Sequence, residues 1–169
     1  MSGVAEALRS SMPHEADPHS RTWMGWGVSA KGYGSKLGKK TEEALVRIAK
    51  AVSSFEPVSM LVRPKDHDKV AELLRGSEVE LIRLEIDDLW LRDTGPVFTK
   101  VDGKLGAIDF NFNGWGRKQP FDKDSKVAAF VAGKAGAEYQ KSSIVLEGGA
   151  LEVDGQGTGI ICESCVLNN

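Results

Sequence analysis

The sequence predicts an α/β fold, and three observations support that prediction. Short apolar runs of strand length alternate with segments whose apolar residues recur at helical intervals. Glycine or proline stands at most boundaries between these segments. No linker and no low-complexity stretch interrupts the order along the 169 residues. Strands and helices mixed in this way are typical of an α/β domain.

The first half of the chain predicts three strands separated by two helices. The strands are expected at about 22–27, 58–62 and 79–86. Three glycines predict a loop over 29–38, after which Thr41 is expected to cap a helix that carries two glutamates in its first turn. The apolar face of that helix is predicted to consist of Ala44, Leu45, Ile48, Ala49 and Val52. Pro64 is expected to begin the second helix, and Gly76 to end it.

The second half predicts strands at 96–101 and 105–112, joined at Asp102-Gly103, a strong signal for a two-residue hairpin turn. A helix is expected over about 123–135, ending at Gly136. Three short strands are expected at 144–146, 150–153 and 158–162, with a hairpin turn at Asp154-Gly155. The last residues suggest no capped helix, so the sequence is expected to stop within a domain.

Composition excludes several classes of function. With 22 basic and 24 acidic residues the formal net charge is −2, which gives no electrostatic reason to expect a nucleic-acid partner. The apolar runs are only a few residues long, so no membrane span is expected. The N-terminal residues lack the apolar stretch of a signal peptide, and a cytoplasmic location is predicted.

The two cysteines, Cys162 and Cys165, form a C-x-x-C pair that invites a redox or metal interpretation. A redox pair usually opens a helix, whereas Cys162 ends an apolar, strand-like run. A zinc site would need two more ligands. Two structural cysteines and no metal site are therefore predicted.

Residues 87–96 are the first candidate site, because three acids, an arginine and Trp90 follow directly after a predicted strand. Carboxylates bind a guanidinium through two parallel hydrogen bonds, and an aromatic face adds a surface for a cation. The alternative is a solvated acidic turn in which Arg92 pairs with Asp87 or Asp88.

Two further motifs contain residues that could line a site. Residues 110–116 alternate aromatic and amide side chains and place Trp115 between two glycines, a pattern that favours a glycine turn with Trp115 covering the core. Glu147 ends an apolar run and precedes two glycines, so its carboxylate is expected to be partly buried and paired. It could orient a catalytic partner, or it could be an acid in an edge-strand turn.

Taken together and in this order, these motifs resemble agmatine deiminases, which belong to the guanidine-modifying enzymes and are related to bacterial-type peptidylarginine deiminases. The resemblance covers nearly the whole chain. The motifs that carry it are Met12-Pro13, Pro18-His19, Thr22-Trp23, Trp90-x-Arg92-Asp93-Thr94-Gly95-Pro96, Phe112-Asn113-Gly114-Trp115-Gly116, Asp122-Lys123-Asp124 and Leu146-Glu147-Gly148-Gly149.

The resemblance implies a pseudo-fivefold α/β propeller. Residues 1–169 would form the N-terminal part of one catalytic domain, with the first two or so strand-helix modules at about 20–100 and 101–169. It also implies a hydrolase that converts the guanidinium group of agmatine, giving N-carbamoylputrescine and ammonia in putrescine and polyamine biosynthesis.

The mechanism that the resemblance implies is covalent. A cysteine thiolate attacks the guanidinium carbon, two aspartates hold the cation, and a histidine acts as general acid and base. By motif position Asp93 would be a catalytic, substrate-binding aspartate, and Glu147 the catalytic glutamate that positions the histidine. Trp90 would line the substrate pocket. No metal and no other cofactor is implied.

The histidine and the nucleophilic cysteine are expected beyond Asn169, so this chain alone is expected to be inactive. The chain's own cysteines and histidines do not match those positions: Cys162, Cys165, His14, His19 and His67. The expected partners are agmatine and either a complementary C-terminal half or further copies of the chain. Two alternatives stay open, namely a peptidylarginine deiminase and a non-catalytic fragment that binds a partner chain.

Overall fold

The computed structural model describes residues 10–28 and 30–169. The chain forms two compact units. The described residues of the first unit are 10–17, 92–119 and 125–169, and those of the second are 18–28, 30–91 and 120–124. Both contain strands and helices, which confirms the predicted α/β class.

The bounds of the elements fix the order of the fold. The described strands are β1 Ser10–Ser11, β2 Thr22–Trp26, β3 Val58–Val62, β4 Val79–Arg83, β5 Val97–Val101, β6 Lys104–Asp109, β7 Glu138–Lys141, β8 Leu151–Val153 and β9 Gly159–Ile161. The described α-helices are α1 Ala30–Val52, α2 His67–Leu73, α3 Leu91–Thr94, α4 Gly114–Arg117, α5 Val127–Ala135 and α6 Glu163–Leu167. Short 3-10 turns stand at Pro64–Asp66, Asp124–Lys126 and Gly148–Ala150. No helix of the described residues has the length and apolar character needed to cross a membrane.

The second unit is built on a parallel three-stranded sheet in the order β2-β3-β4. All five residues of β3 are buried, as expected for the central strand of a parallel sheet covered by helices. Met60 of β3 pairs in register with Met24 and Leu81 on its two neighbours. Trp26, Met60, Val62 and Val70 belong to one buried cluster that also includes Leu45 and Ala49 of α1. This cluster is the core of the second unit.

The first unit is built on a mixed four-stranded sheet in the order β1-β5-β6-β7. The β5–β6 hairpin turns at Asp102 and Gly103, whose φ values of 48° and 79° confirm the predicted turn. Helix α5 follows β6 along the chain and precedes β7, which runs parallel to β6. The helix buries Val127, Val131 and Ala132. It ends at Gly136 in the left-handed conformation, as predicted.

The prediction for the first helix was wrong at its N-terminus. Helix α1 begins at Ala30, within the predicted loop, and Gly34 interrupts it with φ 67° and ψ 167°. Thr41 is not the cap, since its hydroxyl donates to Leu37 O one turn earlier at 3.0 Å. Tyr33 of this segment packs against the core cluster, and such tertiary packing offsets the low helix propensity of the glycines there. Ile48, predicted to be on the apolar face, is 51% exposed.

Three predictions for the second half were also wrong. Residues 144–146 form no strand, although Leu146 is buried and donates its backbone N–H to Phe110 O at 2.9 Å. Strand β7 was missed because all four of its side chains are exposed and give no apolar alternation. The unpredicted helix α6 has Cys162 as its N-cap, so Cys162 follows a strand and opens a helix. Cys162 is exposed and Cys165 is partly buried, and neither forms a disulfide.

Candidate functional site

Three segments of the first unit bring their polar groups together around Asp93. Helix α3 carries Asp93 and buries the adjacent Thr94. Helix α4 presents Trp115, and the 3-10 turn at Gly148–Ala150 follows Glu147. The Trp115 side chain and the Gly149 backbone both lower the pKa of the Asp93 carboxyl, and a Cβ on Gly149 would lie 2.2 Å from Asp93 Oδ1. These contacts define the candidate site.

The electrostatic balance at Asp93 is set by burial against hydrogen bonding. Burial is the largest influence and raises the pKa of Asp93 above its ordinary value of 3.8. The Trp115 and Gly149 hydrogen bonds oppose that rise. The charge of Glu147 raises the same pKa further, whereas the Arg92 guanidinium lowers it. A bound cation would favour the ionised carboxylate in the same way as these donors.

Two adjacent glycines allow the segment after Glu147 to approach α3. A Cβ at Gly149 would lie 2.2 Å from Asp93 Oδ1, and a Cβ at Gly148 would lie 2.5 Å from Arg92 O. A side chain at Gly148 would meet fixed backbone, and one at Gly149 would have to displace the Asp93 carboxylate. The Gly-Gly pair therefore allows the backbone to come close to Asp93.

Helix α4 is a left-handed turn in which four consecutive residues have positive φ. The φ values are 74° at Gly114, 57° at Trp115, 76° at Gly116 and 63° at Arg117. The left-handed conformation costs roughly 1–2 kcal/mol for each residue that is not glycine. Asn113 stabilises the turn, since its Oδ1 accepts from Gly116 N at 2.8 Å.

Trp115 does more than cover the core. Its ring meets the buried Phe112 edge to face, with centroids 4.9 Å apart and planes at 87°. The indole is only partly buried, and the Trp115 side chain lowers the pKa of Asp93. The expectation that Trp115 only covers the core was therefore incomplete.

Glu147 is buried and paired, as its position after an apolar run predicts. Only 7% of it is exposed, and its Oε2 accepts from Asn169 Nδ2 at 3.1 Å. The same Asn169 nitrogen donates to Cys165 O at 2.6 Å, which ties Asn169 to helix α6. A Cβ on Gly116 would lie 3.0 Å from Asn168 O, so the segment after α6 packs against the left-handed turn.

This arrangement suits a planar cation. It holds two carboxylates, those of Asp93 and Glu147, and the charge of Glu147 raises the pKa of Asp93. A fixed carboxylate can meet two N–H groups of a guanidinium side by side. Among the residues that the structure describes, no group of three or more His, Cys, Asp or Glu side chains is arranged to hold a metal ion.

Trp90, the other predicted site residue, belongs to the second unit and is 47% exposed. Its side chain lowers the pKa of Tyr33, whose hydroxyl donates to Asp88 Oδ1 at 2.7 Å. Burial, followed by the Asp88 hydrogen bond and charge, raises the pKa of Tyr33. Within its own unit Trp90 is thus part of a Tyr33–Asp88 cluster.

The alternative pairing for the acidic segment is wrong. Arg92 forms an ion pair with Glu15, and neither Asp87 nor Asp88 takes part. In the second unit Asp124 accepts from the backbone N–H groups of Asp87 and Asp88 at 2.7 and 3.1 Å. Asp87 accepts in turn from Lys123 N at 2.9 Å. These acids hold two backbone segments of the second unit together.

Sequence reasoning missed three residues of the site. Gly149 and Trp115 had been noticed as parts of motifs, but spacing alone does not reveal which carboxylate their N–H groups meet. Nothing in the sequence around Asn169 indicates that its side-chain amide contacts Glu147. A tryptophan between two glycines beside an asparagine is the one pattern that could have indicated a left-handed turn.

The chain is similar in sequence to known deiminases. The model of the Porphyromonas-type peptidyl-arginine deiminase family matches residues 11–169. The chain is 36% identical over 164 residues to the agmatine deiminase of Ectopseudomonas mendocina (strain ymp), covering 93% of this chain and 44% of that protein.

Two solved structures are similar in fold as well as in sequence. An agmatine deiminase of Enterococcus faecalis has a TM-score of 0.86 at 32% identity, covering 94% of this chain and 45% of that one. A cysteine-to-serine variant of C. jejuni agmatine deiminase with substrate bound has a TM-score of 0.85 at 26% identity, covering 97% and 49%. The chain therefore spans less than half the length of each of these relatives.

Proposed function

The chain belongs to the Porphyromonas-type peptidyl-arginine deiminase family, and from this premise we propose that it supplies the guanidinium-binding carboxylate of an agmatine deiminase. One observation carries the proposal. Asp93 is a partly buried acid whose carboxylate is closely approached by the Gly149 backbone, with Glu147 close enough to raise its pKa. Such a carboxylate is a prepared acceptor for a planar cation.

The whole protein would hydrolyse agmatine to N-carbamoylputrescine and ammonia. In the proposed reaction a cysteine thiolate adds to the guanidinium carbon, ammonia leaves, and water then hydrolyses the thiouronium intermediate. Asp93 would hold the guanidinium and keep its carbon in line for attack. Glu147 would orient the general acid–base histidine, and Trp90 would line the pocket. The two units would be modules of a partial pseudo-fivefold propeller.

We further propose that this chain binds agmatine without turning it over. The resemblance that assigns Asp93 and Glu147 matches none of the chain's own cysteines or histidines to the nucleophile or the general base. Ammonia release from agmatine measures this directly and should stay at the level of a protein-free blank. Catalytic turnover by the purified chain would show that the nucleophile lies within it.

Binding is tested by titrating agmatine and putrescine into the chain in a calorimeter. Putrescine is the matched control, because it has the same four-carbon chain with a second amine in place of the guanidinium. The proposal expects a saturable response to agmatine, a much weaker one to putrescine, and loss of the agmatine response in Asp93→Asn. Equal responses to the two ligands would remove the guanidinium assignment.

The family description favours peptidyl-arginine as a second candidate substrate. The two substrates present the same guanidinium to Asp93 and differ at the far end. A short peptide with a C-terminal arginine, titrated beside agmatine, distinguishes them. Tighter binding of the peptide would favour the second candidate, and tighter binding of agmatine would favour the first.

A complementary C-terminal half and assembly with further copies of the chain stay predictions. The native mass of the purified chain tests both.

A further inference from the structure

The two cysteines of the chain, Cys162 and Cys165, have no part in the proposed function. The sequence interpretation set a redox role aside because Cys162 ends a strand-like run. In the structure Cys162 follows β9 and also directly precedes helix α6. Cys162 is exposed and Cys165 is partly buried. An accessible thiol beside a second, resolving thiol is the arrangement found in redox-active cysteine pairs, so the pair needs a second interpretation.

A single turn of backbone brings the two cysteines within reach of each other. Cys165 N donates to Cys162 O at 3.0 Å. A turn closed in this way brings the Cα atoms of its first and fourth residues to within about 7 Å. A disulfide spans Cα atoms that are about 4.4–6.8 Å apart. A disulfide between Cys162 and Cys165 therefore needs rotation of the two side chains and little movement of the backbone.

The position of the pair suits a reversible bond better than a permanent cross-link. A disulfide across two intervening residues closes a very short loop, so it restricts the unfolded chain little and adds little to stability. Cys162 and the two intervening residues, Glu163 and Ser164, are all exposed. Exposed disulfides are the labile ones, because a small thiol can reach and reduce them.

Cys165 is also connected to the candidate site through a side-chain amide. Its carbonyl oxygen accepts from Asn169 Nδ2 at 2.6 Å, and the same nitrogen donates to Glu147 Oε2 at 3.1 Å. Glu147 is buried, so the loss of this donor would leave its carboxylate less well paired. A movement of Cys165 towards Cys162 must therefore carry Asn169 with it or break one of the two hydrogen bonds.

We propose that Cys162 and Cys165 form a reversible thiol–disulfide site for low-molecular-weight disulfides, and that Asn169 transmits its state to Glu147. The Cys162 thiol loses its proton, and its thiolate attacks one sulfur of the small disulfide, which releases one thiol. The Cys165 thiolate then attacks Cys162 Sγ and releases the second thiol. The two cysteines lose two electrons and two protons, and the small disulfide gains them. This inference goes beyond the proposed function and does not depend on it.

The first experiment incubates the chain in buffers of reduced and oxidised glutathione at graded ratios. Each sample is quenched with acid, unfolded and alkylated, and its intact mass is measured. With two cysteines in the sequence, the dithiol takes two labels, whereas the disulfide takes none and is lighter by two hydrogen atoms. We expect the second form in oxidised glutathione and recovery of both labels in reduced glutathione. The matched control, Cys165→Ser, should stop with glutathione attached to Cys162.

Two outcomes of this experiment would overturn the thiol–disulfide site. One is a wild-type chain that stays reduced or ends with glutathione on its cysteines. The other concerns the turn that holds the pair together. At one glutathione ratio, the folded chain should have a disulfide-to-dithiol ratio roughly tenfold above that of the chain in urea, because the folded turn keeps the thiols close. Equal ratios would mean that the turn contributes nothing.

The second experiment follows the connection to Glu147 by NMR of the reduced and oxidised chain. The Asn169 side-chain amide and the Glu147 carboxyl should both change their chemical shifts on oxidation. The Asn111 amide, which donates to Ser142 O and Ile144 O in the same unit, should not. In Asn169→Ala the Glu147 resonance should be the same in both states. A wild-type Glu147 resonance that does not respond to oxidation would overturn the role of Asn169.

Discussion

A Cβ on Gly149 would lie 2.2 Å from Oδ1 of Asp93, so the carboxylate occupies the space that any other residue's side chain would need. Gly149→Ala must therefore displace the Asp93 carboxylate or the backbone that donates to it. We expect agmatine affinity to fall by at least roughly tenfold, because a misplaced carboxylate loses one of two parallel hydrogen bonds. Calorimetric titration with agmatine measures the change.

Gly133→Ala is the matched control for that substitution. Gly133 lies inside α5, and a Cβ there would meet nothing within 4 Å. The free energy of unfolding should rise by about 0.5–1 kcal/mol, since alanine loses less backbone freedom than glycine in a helix. Agmatine binding should be unchanged. Unaltered affinity in Gly149→Ala would show that the Gly149–Asp93 approach plays no part in binding.

Asp93→Asn should separate binding from stability. Because burial raises the pKa of Asp93, the ionised acid costs the folded state free energy that is absent when it is protonated. The acid's contribution to stability is thus present at low pH and is lost as pH rises through the raised pKa. The neutral asparagine avoids that loss. We expect urea unfolding to find Asp93→Asn at least as stable as the wild type at pH 7, while agmatine binding is lost.

The pH dependence of the Asp93→Asn effect is the check on its cause. The stability difference should move in favour of asparagine as pH rises from 3 to 7. A wild type that is the more stable protein at pH 7 would mean that the donors outweigh burial at Asp93.

Thr94→Val should not destabilise the protein. Thr94 is 2% exposed, and its Oγ1 is the buried side-chain polar atom of the described residues that lacks a hydrogen-bond partner. Valine has the same shape without the hydroxyl, so we expect the free energy of unfolding to rise by on the order of 1 kcal/mol. Thermal or urea unfolding measures it.

A paired buried hydroxyl provides the comparison. Ser59 is fully buried, accepts from Arg21 at 2.5 Å and donates to Glu80 at 2.8 Å. Ser59→Ala should therefore lower the free energy of unfolding by about 1–2 kcal/mol. If Thr94→Val is destabilising by the same amount, the Thr94 hydroxyl has a partner that stabilises the fold.

Asp124 should make stability depend on pH in the range from about 4 to 6. Burial, with the charges of Asp87 and Asp88, raises its pKa from 3.8 to about 6, while the backbone N–H groups of Asp87 and Asp88 act against the rise. The contribution of Asp124 is complete below about pH 4 and is lost as pH rises through about 6. As pH rises across this range, the free energy of unfolding of the wild type should fall by on the order of 1–3 kcal/mol relative to that of Asp124→Asn. A difference that does not change with pH would contradict the raised pKa.

The fold could be predicted where a local signal and the tertiary structure agree. Strand β3 is apolar except for Ser59, and the turn at Asp102-Gly103 needs residues that tolerate positive φ. Both were therefore predicted correctly. The prediction failed at α1, where Tyr33 packs against the core within glycine-rich sequence, and at β7, where backbone pairing with β6 needs no apolar side chain.

Some residues of the candidate site could be predicted from the sequence and others could not. Glu147 could be picked out because an acid after an apolar run must be paired when it is buried, whereas Asp93 was assigned by its position in a motif that resembles the deiminases. The placement of Trp115 could not be found, since it depends on four successive positive φ values. A sequence pattern reports which residues permit that conformation, and only the folded turn shows what it brings into contact.

The most direct test of the central claim is a crystal structure of the chain soaked in agmatine. The quantity to measure is the distance from the guanidinium nitrogens to the Asp93 carboxylate oxygens. We predict two such distances of about 2.9 Å, as in a bidentate charge-assisted pair. A guanidinium bound elsewhere, or an agmatine that presents its amine end to Asp93, would contradict the assignment of this site.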